Sequence, residues 1–93
     1  MKGYIKDPDA IVDYQFDWSP WLQTDRISTS TWSISPSGSL TVVAASETII
    51  SQLQTRCFVE GGDVGEEYTL TNRVETIGSR TDDRSIKIRI QNR

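Results

Sequence analysis

Apolar and polar residues alternate with a period of two in several separate stretches of this chain, the pattern of strands with one buried and one wet face. The first is Val12-Asp13-Tyr14-Gln15-Phe16-Asp17-Trp18, with Val12, Tyr14, Phe16 and Trp18 on one face and Asp13, Gln15 and Asp17 on the other. Ser19-Pro20 ends it, because proline cannot donate to a sheet ladder. Pro8 blocks a helix upstream, so residues 1–10 are predicted to be an extended N-terminal arm. Residues 26–34 read as a second strand with Ser30, Trp32 and Ile34 inward, and Pro36-Ser37-Gly38-Ser39 as a turn. Leu40 to Ala44 is a short third strand, and residues 45–52 suit either a strand or a helical turn. Ser51 to Glu60 is a fourth strand, with Leu53, Thr55, Cys57 and Val59 on one face. After the loop Gly61-Gly62-Asp63-Val64-Gly65, Tyr68 to Thr76 forms a fifth strand with Tyr68, Leu70, Asn72 and Val74 inward. Gly78 to Asp83 reads as a turn, and Ile86-Lys87-Ile88-Arg89-Ile90 as the last strand.

No stretch has helical periodicity, and the composition agrees: ten Ile, six Val and ten Thr stand against three Ala, four Leu and one Met. These signals predict an all-β fold, an immunoglobulin-like antiparallel β-sandwich of about six to seven strands. Tyr68, following Gly65-Glu66-Glu67, is placed like a tyrosine corner that bonds back to its loop, and Trp32 is the expected core aromatic. At 93 residues, with no linker or repeat, the chain reads as one domain over 1–93. A domain of this size buries about 60–65% of its unfolded surface, so its few aromatic residues matter to a thin core.

Several function classes fall away. No apolar run approaches the roughly 20 residues of a membrane-spanning helix, which predicts no membrane contact. The basic N-terminus lacks a following apolar stretch, so it does not read as a secretory signal. Cys57 is the single cysteine, and there is no histidine for a Ser-His-Asp or Cys-His triad. The net charge of −3 argues against a nucleic-acid partner. That charge is uneven: residues 1–71 carry four basic and ten acidic side chains, and residues 72–93 carry six basic and three acidic. A molecule polarised in this way can stack on copies of itself or dock on a partner of complementary charge, unless these are simply solvated strand faces.

The carboxylate clusters do not resolve into chemistry. Asp13 and Asp17 lie about 13 Å apart along a strand at roughly 3.3 Å per residue, too far for a glycosidase pair. The Glu60 to Glu67 loop lacks the ligand spacing of a calcium-binding loop and reads as a solvated acidic loop. Cys57 reads as packed core, and Trp18 and Trp32 as core rings. Trp21, in a connection, is the tryptophan expected at an interface. Gly78 to Ser85 is the densest polar stretch: Arg80 and Arg84 pair either with Asp82 and Asp83 in a local hairpin loop or with a neighbouring subunit. The interface candidates are therefore Trp21, Arg80, Asp82, Asp83 and Arg84. No catalytic, cofactor-binding or metal-binding residue is assigned, and the chain is not expected to be an enzyme.

Lys6-Asp7-Pro8-Asp9-Ala10, Asp13-Tyr14, Asp17-Trp18, Trp21-Leu22, Ser30-Thr31-Trp32, Gly61-Gly62, Gly65-Glu66, Tyr68, Thr71-Asn72-Arg73 and Arg80-Thr81-Asp82-Asp83-Arg84-Ser85 occur in that order. In these landmarks the chain resembles the small fibre–tail adaptor or minor virion proteins of tailed bacteriophages and prophages. Residues 36–56 carry no matching landmark, and Phe58 alone stands for the bulky aromatic before the double glycine. The resemblance implies an immunoglobulin-like β fold and a structural role in the virion. The expected partners are tail, connector or fibre subunits, met in several copies as a symmetric ring, with synthesis in the bacterial host cytoplasm. A head-decoration protein and a glycan-binding or adhesion module are the alternatives.

Overall fold

The computed structural model describes residues 2–43 and 48–92. They form β1 (Lys2–Lys6), β2 (Ile11–Asp17), the short helix α1 (Ser19–Leu22), β3 (Ile27–Ser35), β4 (Thr41–Val42), β5 (Thr48–Ile50), β6 (Gln54–Glu60), β7 (Glu67–Thr76) and β8 (Thr81–Ile90). One sheet has the order β1-β8-β7-β3; the other has the order β2-β6-β4, with β5 also pairing β6. The pairs are antiparallel except β1 with β8, which is parallel.

Alternation makes the sandwich. Leu70 and Tyr68 of β7 and Ile86, Ile88 and Ile90 of β8 face Tyr14 of β2 and Cys57 and Val59 of β6 in one dry cluster that Leu40 completes. A second cluster joins Trp18, Leu22, Ile27 and Val74, and Phe16 packs on both. Each such aliphatic side chain contributes roughly 1.5–3 kcal/mol by leaving water. Tyr68 is the second residue of β7, and its hydroxyl accepts a bond from the Asp63 N–H at 3.4 Å, tying the strand to the glycine-rich loop.

Several boundaries differ from those read in the sequence. Residues 2–6 of the expected arm are a sheet strand, β1, with Tyr4 opposite Ile88 and Lys6 opposite Ile90. Its partner lies at the other end of the chain, which local alternation does not reveal. The last strand begins at Thr81, so Asp82 and Asp83 belong to β8 and the turn shrinks to residues 77–80. Two bonds hold it short: the Thr76 N–H donates to the Arg80 carbonyl at 2.8 Å, and Arg73 pairs with Asp83 across the strands. Trp18 lies just past β2 and is wholly buried, whereas Trp32, the expected core aromatic, is half-buried against Phe16. Within residues 45–52, Thr48–Ile50 are strand and residues 51–53 a turn, where Ser51 and Gln52 adopt positive φ; residues 45–47 lie outside the described residues. So do Met1 of the arm and Ala44 of the third strand.

Candidate interaction site

The site grows from the exit of β2. Asp17 Oδ1 accepts the Ser19 N–H at 3.0 Å and the Ser19 hydroxyl at 2.7 Å, and Pro20 sits in the first turn of α1, where its missing N–H costs nothing. Those two bonds hold the Asp17 carboxyl below its usual range. The single helical turn brings Trp18 and Trp21 edge to face, with ring centroids 5.5 Å apart, and ends at Gln23 with φ 57°.

The β7–β8 hairpin then closes on these rings from the other sheet. Arg80 stacks 4.4 Å from the Trp21 centroid and donates to the Leu22 carbonyl at 2.9 Å and the Trp21 carbonyl at 3.4 Å, satisfying the orphan end of α1. Arg84 stacks 4.2 Å from the Trp18 centroid and donates to the Asp17 carbonyl at 2.8 Å. Asp25 anchors the assembly, accepting the Arg26 N–H at 2.8 Å, the Gly78 N–H at 2.9 Å and Arg80 Nε at 3.1 Å. The Thr76 hydroxyl, followed by these donors, holds the Asp25 carboxyl well below the ordinary carboxylate range. Two grooves flank the loop after α1, one of about 550 Å³ beside Arg26, Ser51 and Leu53, the other of about 440 Å³ beside Ile77 and Arg80.

Beneath the rings lies a buried polar network. Trp18 Nε1 donates to Thr55 Oγ1 and Asn72 Oδ1, both at 3.1 Å, and Thr55 donates to Asn72 Oδ1 at 2.6 Å. Asn72 Nδ2 donates onward to Ser30 Oγ at 2.8 Å and the Thr31 carbonyl at 3.0 Å. Polar groups so deep persist because they satisfy one another.

Of the five sequence-derived candidates, Trp21, Arg80 and Arg84 come together, while Asp82 and Asp83 stand exposed on β8. The local pairing of Arg80 and Arg84 with Asp82 and Asp83 is replaced. Arg80 binds Asp25, and Asp83 pairs with Arg73 on the outer face, through contacts of 2.8 and 3.2 Å that lower the aspartate pKa and raise that of the arginine. Strand alternation explains the change, since it turns Asp83 away from the face on which Arg84 meets Trp18. Asp25 and Thr55 were not singled out as site residues; only the place of Thr55 and Asn72 on inward faces hinted at a buried network.

The opposite end is acidic and held by the double glycine. Lys6 is buried, and its Nζ donates to the Asp7 and Gly61 carbonyls, both at 2.8 Å. Burial pulls the Lys6 pKa down, against the opposing pull of Asp7, Asp9 and Glu60. Gly61 and Gly62 adopt φ of 82° and 104°; a Cβ on the first would strike the Ser39 carbonyl and on the second the Ile90 side chain. Among the described residues, no three metal-ligating side chains converge.

A family model described as podophage GP4 fiber-tail adaptor protein gp77 matches residues 6–89. A comparison with curated proteins finds no match. The matched span begins at the buried lysine, runs through both tryptophan-stacking arginines and ends in the last strand, so the chain belongs to the podophage GP4 fibre-tail adaptor family.

Proposed function

We propose that the protein is a non-enzymatic adaptor of the phage particle, made in the host cytoplasm, that joins the tail or connector to a fibre or an adjacent tail component. The observation that carries this reading is the family match over residues 6–89. The shape supports it: a body of 42 × 25 × 21 Å has one end rich in carboxylates and the other built from tryptophan and arginine. Several copies arranged as a ring would let each contribute a small interface while the assembly gains avidity.

At the tryptophan end, Arg80 and Arg84 are engaged within the fold, which leaves Asp82, the rim of Trp21 and, through its exposed pair with Arg73, Asp83 for a partner. An adhesion role would need open ring faces, but Trp18 is buried and Trp21 carries Arg80 on its face. The test is double charge reversal, Asp82→Lys with Asp83→Lys. Both groups are exposed, and the surface ion pair of Asp83 with Arg73 contributes little, so the thermal midpoint should move by no more than a few degrees. Incorporation into purified particles, read by quantitative mass spectrometry, should fall. Unchanged incorporation removes this surface as a contact, and absence of the unaltered chain from particles removes the adaptor reading.

A further inference from the structure

The ladder between β2 and β6 fixes which backbone groups of β2 face outward. The Trp18 N–H donates to the Leu53 carbonyl at 2.9 Å, one step beyond the pairs that run from Ile11 with Glu60 to Asp17 with Gln54. Bonded and non-bonded pairs alternate in an antiparallel ladder. Val12, Tyr14 and Phe16 are therefore the bonded residues, and the N–H and C=O groups of Ile11, Asp13, Gln15 and Asp17 point away from β6. Arg84 occupies the Asp17 carbonyl. Among the described residues, no strand pairs with the rest of this edge, for β2 ends its sheet.

The side chains beside the edge choose its occupant. Ile11, Asp13, Gln15 and Asp17 are exposed on the outer face, and Glu60 lies across the ladder from Ile11. Acidic side chains on an edge are a common guard against pairing with a like strand. Centred on Tyr14, a second copy would set its Asp13 diagonally across from this one, in a molecule already at −3. On the inner side, Tyr4 is 38% exposed and its ring meets Tyr14 edge to face at 5.3 Å, an apolar landing for every second residue of an incoming strand.

We propose that the open edge of β2 receives an extended basic strand of a neighbouring virion protein, with backbone hydrogen bonds to Ile11, Asp13 and Gln15, lysine or arginine beside Asp13 and Asp17, and apolar side chains against Tyr4. The identity of that neighbour as a virion protein rests on the adaptor reading; the chemistry of the edge does not.

The probe is a short synthetic peptide alternating lysine with valine, set against one alternating glutamate with valine, each added to the full chain. The lysine peptide should slow amide exchange at Asp13 and Gln15, and the glutamate peptide should not. Gln15→Pro deletes an outward N–H that the ladder does not use, so the fold should persist while peptide affinity falls about tenfold or more. Asp13→Lys should exchange the preference between the two peptides. Equal protection by both peptides, protection confined to other strands, or undiminished affinity in Gln15→Pro overturns the proposal. So does protection of the edge without peptide in a species of doubled mass, which would make the occupant a second copy. Absence of the unaltered chain from purified particles would remove the adaptor reading while leaving the peptide result standing.

Discussion

Asn72 is a polar side chain with no exposed surface, and it joins the two sheets: it takes bonds from Trp18 and Thr55 on one side and gives them to Ser30 and Thr31 on the other. Asn72→Ala should therefore cost about 2–4 kcal/mol in urea unfolding, because several buried partners lose their mate at once. Asp25 makes the stability depend on pH. Its carboxyl is held well below the usual value of 3.8, first by the Thr76 hydroxyl, so its stabilisation is complete above that value and drains away as pH falls toward the lowered one. Asp25→Asn should thus be less stable than the parent at pH 7, with the gap closing below about pH 4 in acid-titrated unfolding curves. At this scale the sequence was half readable. Alternation placed Asn72 inward, but its partners Thr55 and Trp18 lie 17 and 54 residues away and meet it only through the stacking of the sheets. Nothing local marked Asp25 as a hub, for beyond the neighbouring Arg26 amide its partners include a turn amide and an arginine more than fifty residues on.

The strands themselves were legible where one face is dry and one wet, as in β2, β6 and β7, and illegible where another cause makes the strand. In β1 the neighbours Tyr4 and Ile5 blur the alternation, and the strand exists because β8 offers a ladder and the Gly61 carbonyl a seat for the Lys6 ammonium. The first residues of β8 look like a polar loop, yet the pairing of Arg73 with Asp83 carries the ladder through them. A four-residue helix is too short to show a period. The double-glycine loop yields a prediction of its own. Gly62→Ala drives a Cβ to within 2.6 Å of Ile90 at a φ of 104°, and should lower stability by about 1–3 kcal/mol in thermal melts. Gly65→Ala, with φ of 89° and nothing within 4 Å, carries backbone strain alone and should cost less.

For the molecule as a whole, β-branched composition and repeated alternation were enough to read a sandwich, because those signals come from the division between core and water that the fold must satisfy. The contact surfaces were harder to read. Arg80 and Arg84 looked available for a partner in the sequence, yet each guanidinium lies on a ring of the same chain. The open edge of β2 follows from hydrogen-bond parity, which residue types do not display. The edge-to-face arrangement of Trp18 and Trp21, 66° between ring planes, also gives the protein an optical signature. Two indoles so close and so oriented couple their electronic transitions and should produce a paired near-ultraviolet circular dichroism band. That band would report, without any label, whether the hairpin still grips the helical turn when the adaptor meets its neighbours.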